Sequence, residues 1–372
     1  MLKPINLFVK TIFITAITST FAFHASAEQS NNKQKVEVAF VLDTTGSMAG
    51  LIDGAKQKIW SIANTIIDVN PDAEIRMALI AYRDRGDEYI IKTYDMSSDV
   101  QGLYGKLTKL EADGGGDTPE SVNEALDEAV RKLEWTKGHD TKRIIFLVGD
   151  APPHMDYPNA PLYPNVLKRA VADGIIVNTI QAGDDRETKK IWREIAQLGH
   201  GRYMPIPQDG GKITVINTPY DDQIIVIQRK IDKTVLPYGN HDEREALTNK
   251  MEEKAEAPAP VQIDNSRFYS KKSGSKEVVT GGNDLITDVK NGTQKIEEVQ
   301  ETSLPDELRG KSSEEKNAIV EKTSQERSKL EAEMSALIEK RDAYIAEQKL
   351  NPDKDNNSFD SVVKETLHDQ LK

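Results

Sequence analysis

Asp43, Thr45 and Ser47 are the residues of this chain whose types and spacing best suit chemistry: three oxygen-bearing side chains at alternate positions. They follow Val36-Glu37-Val38-Ala39-Phe40-Val41-Leu42, a β-branched and apolar run of the kind a sheet interior requires. In an extended or tightly turning segment, alternate side chains point the same way. One carboxylate and two hydroxyls therefore converge just past the carboxyl end of a strand. An all-oxygen cluster of this kind suits a hard divalent cation, Mg²⁺ first, with Mn²⁺ or Ca²⁺ as alternatives. The plainer alternative for the same residues is an Asx turn that caps the following helix.

Two downstream segments can complete such a site. Thr141-Lys142-Arg143-Ile144-Ile145-Phe146-Leu147-Val148-Gly149-Asp150 is a second apolar strand that delivers an acid at its end. Asp113-Gly114-Gly115-Gly116-Asp117-Thr118-Pro119-Glu120 opens a helical run. Its three glycines permit close backbone approach, Pro119 and Glu120 read as a first helical turn, and Thr118 or Asp117 reads as the N-cap. In open α/β sheets, ligands collect outside the carboxyl ends of the strands. The candidate metal ligands are thus Asp43, Thr45, Ser47, Thr118 and Asp150, with Asp117 either an extra ligand or a loop charge.

Alternating elements must position these residues. Helices are expected at residues 51–68, 100–110, 121–133, 165–172, 188–198 and 223–235, where apolar residues recur at helical spacing. Strands are expected at residues 74–82, 89–94, 144–148, 175–180 and 202–206. The short loop between the first two of these makes them antiparallel neighbours. The pattern gives an α/β fold, a doubly wound and mostly parallel sheet flanked by helices. After residue 239 the composition turns charged, and Ala257-Pro258-Ala259-Pro260 reads as a linker. Residues 240–310 are expected to be a charged, irregular connection and residues 311–372 a mainly helical region. In the latter, residues 312–348 form one long helix and residues 359–371 a short one. Thr323, Arg327 and Arg341 interrupt its heptads, so the long helix reads as docked on the main domain or as a spacer rather than as a long coiled coil.

The trio Asp43-x-Thr45-x-Ser47, the Gly-rich loop bearing Thr118 and the strand-end Asp150 together resemble the von Willebrand factor type A domain. More narrowly, Leu42-Asp43-Thr44-Thr45-Gly46-Ser47-Met48, Ala81-Tyr82-Arg83-Asp84, Gly115-Gly116-Asp117-Thr118-Pro119-Glu120 and Asp150-Ala151-Pro152-Pro153-His154 look like its hemicentin-type branch. The resemblance covers residues 35–239 and implies a metal-ion-dependent adhesion site, in which acids often act through bound water. The chain departs from the pattern in having Thr45 where many members have Ser, and Gly149-Asp150 where Thr-Asp-Gly is common.

The 372 residues carry a formal charge of −12, no cysteine and no long basic run. Sequence-blind nucleic-acid binding needs a positive footprint, so that class is set aside. A disulfide scaffold is excluded. Lys3 and Lys10, the apolar stretch after them and Ala25-Ser26-Ala27 read as a signal peptide over residues 1–27. That reading implies a bacterial periplasmic or secreted protein with no transmembrane segment after cleavage. The six histidines show no zinc spacing, and His154 reads as a turn residue or a rim residue. Arg85-Gly86-Asp87 spells an integrin-recognition tripeptide and is expected to be coincidental.

Two neutral hydroxyls and few acids leave a cation electrophilic, so an Asp or Glu of a protein partner can complete its shell. The amino end of the helix after Met48 favours that incoming anion. Thr118, on its glycine loop, could engage the metal only when ligand is present. The expected function is therefore a metal-dependent protein-binding module for adhesion or assembly. One rival is a haloacid-dehalogenase-like phosphohydrolase with Asp43 as nucleophile, but the acid such enzymes carry two residues on is here Thr45. An aspartic-protease reading fails because Thr44-Thr45 spoils Asp-Thr-Gly and no second copy supplies the carboxylate dyad. The other rival is a metal-independent scaffold.

Overall fold

The computed structural model describes residues 34–116, 118–211, 216–272, 282–348 and 358–372. The signal-peptide reading and Asp117 lie outside these residues. Six strands, β1 (Lys35–Asp43), β2 (Glu74–Tyr82), β3 (Ile91–Ser97), β4 (Thr141–Gly149), β5 (Ile175–Ala182) and β6 (His200–Ile206), form one sheet in the order β3-β2-β1-β4-β5-β6. Only the β2–β3 pair is antiparallel, as the sequence led us to expect. The chain steps outward from β1 to β2 and β3, then crosses back to β4 and steps outward on the other side to β6, so the topological switch point lies between β1 and β4. Asp43 ends the first of these strands and Asp150 follows the second.

The alternation of β1 divides its side chains between two cores. Val36, Val38, Phe40 and Leu42 meet α1 (Ala49–Val69) and α2 (Val100–Thr108) on one face. Ala39 and Val41 meet α3 (Val122–Arg131), α4 (Tyr163–Ala172) and α5 (Arg186–Leu198) on the other. Phe40 stacks on Phe146 of β4 with ring centroids 5.5 Å apart, fixing the two strands that carry the acids side by side.

The region after residue 239 differs from the expected irregular connection. It holds α7 (His241–Glu256), α8 (Ala259–Lys271) and α9 (Leu285–Lys290), following α6 (Asp221–Asp232). The cause is local as well as tertiary. Asn240 and Glu243 close a reciprocal capping box that starts α7. Pro260 occupies the first turn of α8, where a missing N–H is harmless. Helix α8 then buries Val261 and Phe268 in the sheet's own core, with Phe268 edge-on to Trp60 of α1 at 5.3 Å.

The long helix α10 (Ser313–Gln348) packs Met334, Leu337 and Ile338 against Ile224, Ile227 and Ile231 of α6. The arginines that break its heptads are its anchors: Arg327 is buried against Asp284, and Arg341 bonds Asp221 at 3.0 Å. The last helix, α11 (Phe359–Gln370), returns to the sheet beside α1 and β6. Phe359, Val363, Leu367 and Leu371, spaced four apart, all sit in the core on the α1 face. Its edges are pinned by Arg202–Asp369 at 2.8 Å, Gln370 to Asn178 at 2.8 Å, and Phe359 N–H to Gly210 carbonyl at 2.9 Å. Helices α8 and α11 thus pack into the same core as the sheet. The described residues contain no helix long and apolar enough to cross a membrane.

Candidate functional site

The segment after β1 turns sharply because its backbone is tied on both sides. Thr44 N–H and Oγ1 both donate to the Tyr82 carbonyl at 2.9 Å, and Arg83 Nε donates to the Thr44 carbonyl at 3.2 Å. Arg83 also holds the Glu111 carbonyl at 2.9 Å while lying 4.4 Å over the Tyr89 ring, so one buried guanidinium joins three loops. The Gly-rich segment is stitched to the first loop by Gly46 N–H to Gly114 carbonyl at 3.2 Å and Asp113 N–H to Thr44 carbonyl at 3.1 Å. Gly114 and Gly115 adopt φ of +79° and +76°. A side chain on Gly115 would meet Thr45 Cβ at 2.9 Å, so this close approach requires glycine.

Asp43 is fully buried. Its Oδ1 accepts Thr45 N–H at 2.9 Å and Thr45 Oγ1 at 2.7 Å, the local bonding of an Asx turn. Its Oδ2 is buried with no hydrogen-bond partner. The capping role in that turn is not realised: neither the 3₁₀ turn Gly46–Met48 nor α1 has a side-chain cap. Thr45 Oγ1 lies 3.4 Å from Ser47 Oγ, so the three expected first-loop oxygens do converge. Burial pushes the Asp43 carboxyl up to about 7 against the pull of the Thr45 hydrogen bonds, and the Asp150 and Asp87 charges add to the rise.

Asp150 lies half-buried beyond β4, close enough for its charge to act on Asp43. Gly149 before it is explained by crowding: a Cβ there would lie 2.5 Å from Tyr82 Oη and 3.1 Å from Asp43 Oδ2. Where this chain has Tyr82 packed across the strand end, threonine cannot fit. Gln208, after β6, donates to Asp150 Oδ2 at 2.6 Å and to the Ser47 carbonyl at 3.3 Å. It bridges the two halves of the site and was not singled out in the sequence.

Thr118 is exposed on the stretch between Gly116 and Glu120. The expectation that it caps a helix starting at Pro119 is not met. Helix α3 starts at Val122, with Ser121 in the N-cap position. Glu120 instead forms a bridge to Pro153, its N–H donating to the Pro152 carbonyl at 2.9 Å and its carbonyl accepting His154 N–H at 3.0 Å. Those bonds tie Glu120 to the loop after Asp150, and the Thr118–Pro119 bond is cis. Glu120 is itself buried, with Oε2 unpartnered, beside Gly115. Burial pushes its carboxyl up to about 9, with the charges of Asp43, Asp84, Asp87 and Asp150 adding to the rise. Sequence reasoning took Glu120 for a plain helix-start residue, and no local signal marks it otherwise.

The remaining rim residues are structural. Asp84 accepts Ser121 Oγ at 2.9 Å and Tyr157 Oη at 2.6 Å. His154 is buried, stacked on Tyr157 at 3.8 Å and bonded to Asp156 at 2.8 Å. In Arg85-Gly86-Asp87, Arg85 pairs with Glu124 at 2.6 Å and Asp87 accepts Gly115 N–H at 3.3 Å. Both charges of the tripeptide are thereby engaged within the domain. Among the described residues, no three His, Cys, Asp or Glu side chains form a metal-holding group. The donor set here is two carboxylates with hydroxyls.

Residues 37–216 match the von Willebrand factor A domain. An ariadne-like RING finger protein of Acanthamoeba polyphaga mimivirus is 32% identical over 124 residues, 33% of this chain and 12% of its own length. Von Willebrand factor A domain-containing protein 7 of Rattus norvegicus is 35% identical over 96 residues, 25% of this chain and 10% of its own. The chain thus spans about a tenth of the length of these relatives. A solved von Willebrand factor type A structure from Catenulispora acidiphila is 17% identical, with a TM-score of 0.37 over 48% of this chain and 39% of that one.

Proposed function

We propose that this von Willebrand factor A domain is a binding module of the hemicentin-like type, in which Asp43, Thr45, Ser47, Thr118 and Asp150 hold a divalent cation that receives an acidic side chain of a protein partner. One observation carries the reading: Asp43 Oδ2 is buried at the switch point, without a partner, beside two hydroxyls and a second carboxylate. A buried carboxylate oxygen with nothing to bond costs on the order of several kcal/mol unless a positive charge answers it. The donor chemistry fits Mg²⁺, with Mn²⁺ or Ca²⁺ acceptable. A bound cation would supply an electrophilic position for an incoming carboxylate. Asp43 is held for that task by its Thr45 hydrogen bonds, and Thr118 is the hydroxyl the glycine loop would contribute. Asp150 shares Oδ2 with Gln208, so its second oxygen is the one available to a water or an ion.

The role is binding rather than turnover, because the position of a general acid two residues after Asp43 is taken by Thr45. Export to a periplasmic or secreted location follows from residues 1–27 alone. Calorimetry of the chain without residues 1–27 tests the reading. Mg²⁺ uptake is expected and is expected to vanish in Asp43→Ala; absence of uptake of Mg²⁺, Mn²⁺ and Ca²⁺ alike at about millimolar levels would overturn it.

A further inference from the structure

Helix α5 carries four cations, Arg186, Lys189, Lys190 and Arg193, at spacings of three and four residues, all exposed on one stripe. The arrangement opposes the helix's own electrostatics. Arg186 with Lys190, and Lys189 with Arg193, are like-charge pairs four apart, which destabilise a helix. All four fall in the first two turns or so, nearer the amino end, where the helix dipole disfavours positive charge. None of them makes an ion pair among the described residues, in a chain of net charge −12. Arg193 lies over the Tyr203 ring at 5.1 Å, which fixes the end of the stripe. Four acids flank or belong to the same helix, Asp184, Asp185, Glu187 and Glu194. Asp185 accepts Thr188 N–H at 2.7 Å and Glu194 bonds Tyr163, and among the described residues none of the four pairs with a cation of the stripe.

The buried side of α5 joins this stripe to the rim. Thr188 Oγ1 donates to the Asp150 carbonyl at 3.1 Å, and Trp192 Nε1 donates to the Ala151 carbonyl at 3.2 Å. The cations therefore begin beside the loop that carries one of the two site acids. We infer that α5 is a second contact for the partner: an acidic protein segment that sets one carboxylate at the rim and lays further carboxylates along Arg186, Lys189, Lys190 and Arg193. The stripe is roughly 10 Å long at about 1.5 Å of rise per residue. An extended peptide places same-side carboxylates about 7 Å apart, so two of them span it. The α5 contact stands on its own charges, whereas the assignment of the remaining carboxylate to a cation rests on the function proposed above.

The test uses a fluorescein-labelled peptide of about twelve residues alternating Glu and Ser, its Gln-Ser counterpart, and anisotropy at about 20 and about 200 mM NaCl. The Glu peptide is expected to bind in Mg²⁺ and the Gln peptide not. The double change Lys189→Glu with Lys190→Glu is expected to weaken binding about tenfold at low salt and to flatten its salt dependence, with Mg²⁺ uptake and melting temperature unchanged. Equal binding by this variant, or equal weak binding of both peptides to the wild type, overturns the α5 contact. Vesicles rich in phosphatidylglycerol that capture the wild type while the peptide does not would overturn it in favour of an anionic lipid surface. Peptide binding lost in the double variant, yet indifferent to chelator and to Asp43→Ala, upholds the α5 contact and removes the cation from the account.

Discussion

Two buried aspartates, Asp284 under the C-terminal helices and Asp43 at the rim of the sheet, are handled in opposite ways. Asp284 accepts from both Arg327 Nη1 at 2.5 Å and Nη2 at 3.3 Å, from Leu236 N–H at 3.1 Å and from Thr287 Oγ1 at 2.6 Å. Both of its oxygens are answered from within the chain. Asp43 is more deeply buried, yet one of its oxygens is answered by nothing. A charge that holds a fold together is compensated where it lies. A charge left uncompensated at the carboxyl end of a central strand belongs to a different task.

The contrast assumes that the C-terminal helices are architecture, and removing residues 358–372 attacks that assumption most strongly. Four core side chains leave the sheet with α11, an upper-bound loss on the order of 5–10 kcal/mol, comparable with the whole stability of an ordinary domain. Loss of the cooperative thermal transition by circular dichroism is the expected result; an unchanged melt would make α11 an ornament. Next, Arg327→Met strands Asp284 and should cost about 3–5 kcal/mol in urea unfolding. Adding Asp284→Leu should recover much of this, because a buried pair is replaced by apolar packing. Asp43→Asn should behave the other way. In chelator, its stability is expected to equal or exceed the wild type by about 1 kcal/mol, since the orphaned oxygen loses its charge. If the proposed cation site is real, Mg²⁺ should raise the melting temperature of the wild type and leave that of Asp43→Asn unchanged.

The smallest effect concerns acid. Burial alone would raise the Asp360 carboxyl, but Lys364, Lys58 and Ser358 outweigh it and hold it below the usual carboxylate range. A depressed folded-state pKa gives stability that is complete above the unfolded value of about 4 and is lost as pH falls below it through the folded one. Asp360→Asn should therefore shed under about 1 kcal/mol at neutral pH and steepen less than the wild type below pH about 4 in urea midpoints.

The sheet and the first-loop cluster were legible because strand burial and side-chain alternation are local properties. Residues 38–42 and 144–148 are apolar without interruption; Asp43 follows the first directly and Asp150 the second after Gly149. Gln208 and Glu120 were not legible. The first reaches Asp150 from a loop 58 residues away in sequence, and the second is positioned by backbone bonds to Pro152 and His154. The same bonds explain why Thr118 does not cap α3. Helix α7 was passed over because it buries only Leu247 and Lys254 and so shows no apolar stripe. Its signal was the Asn240–Glu243 box. The four-residue spacing from Phe359 to Leu371 was visible, but a spacing does not name the surface it will meet.

That surface gives the molecule a particular order of assembly. The groove beside α1 and β6 is filled by α11, so a chain emerging from the ribosome carries an open hydrophobic trench until residues 359–371 arrive. Contacts of such long sequence separation form late and slowly. Completion of the α/β layer thus waits on residues 359–371, and any chain cut short before residue 359 is marked by the trench it cannot close.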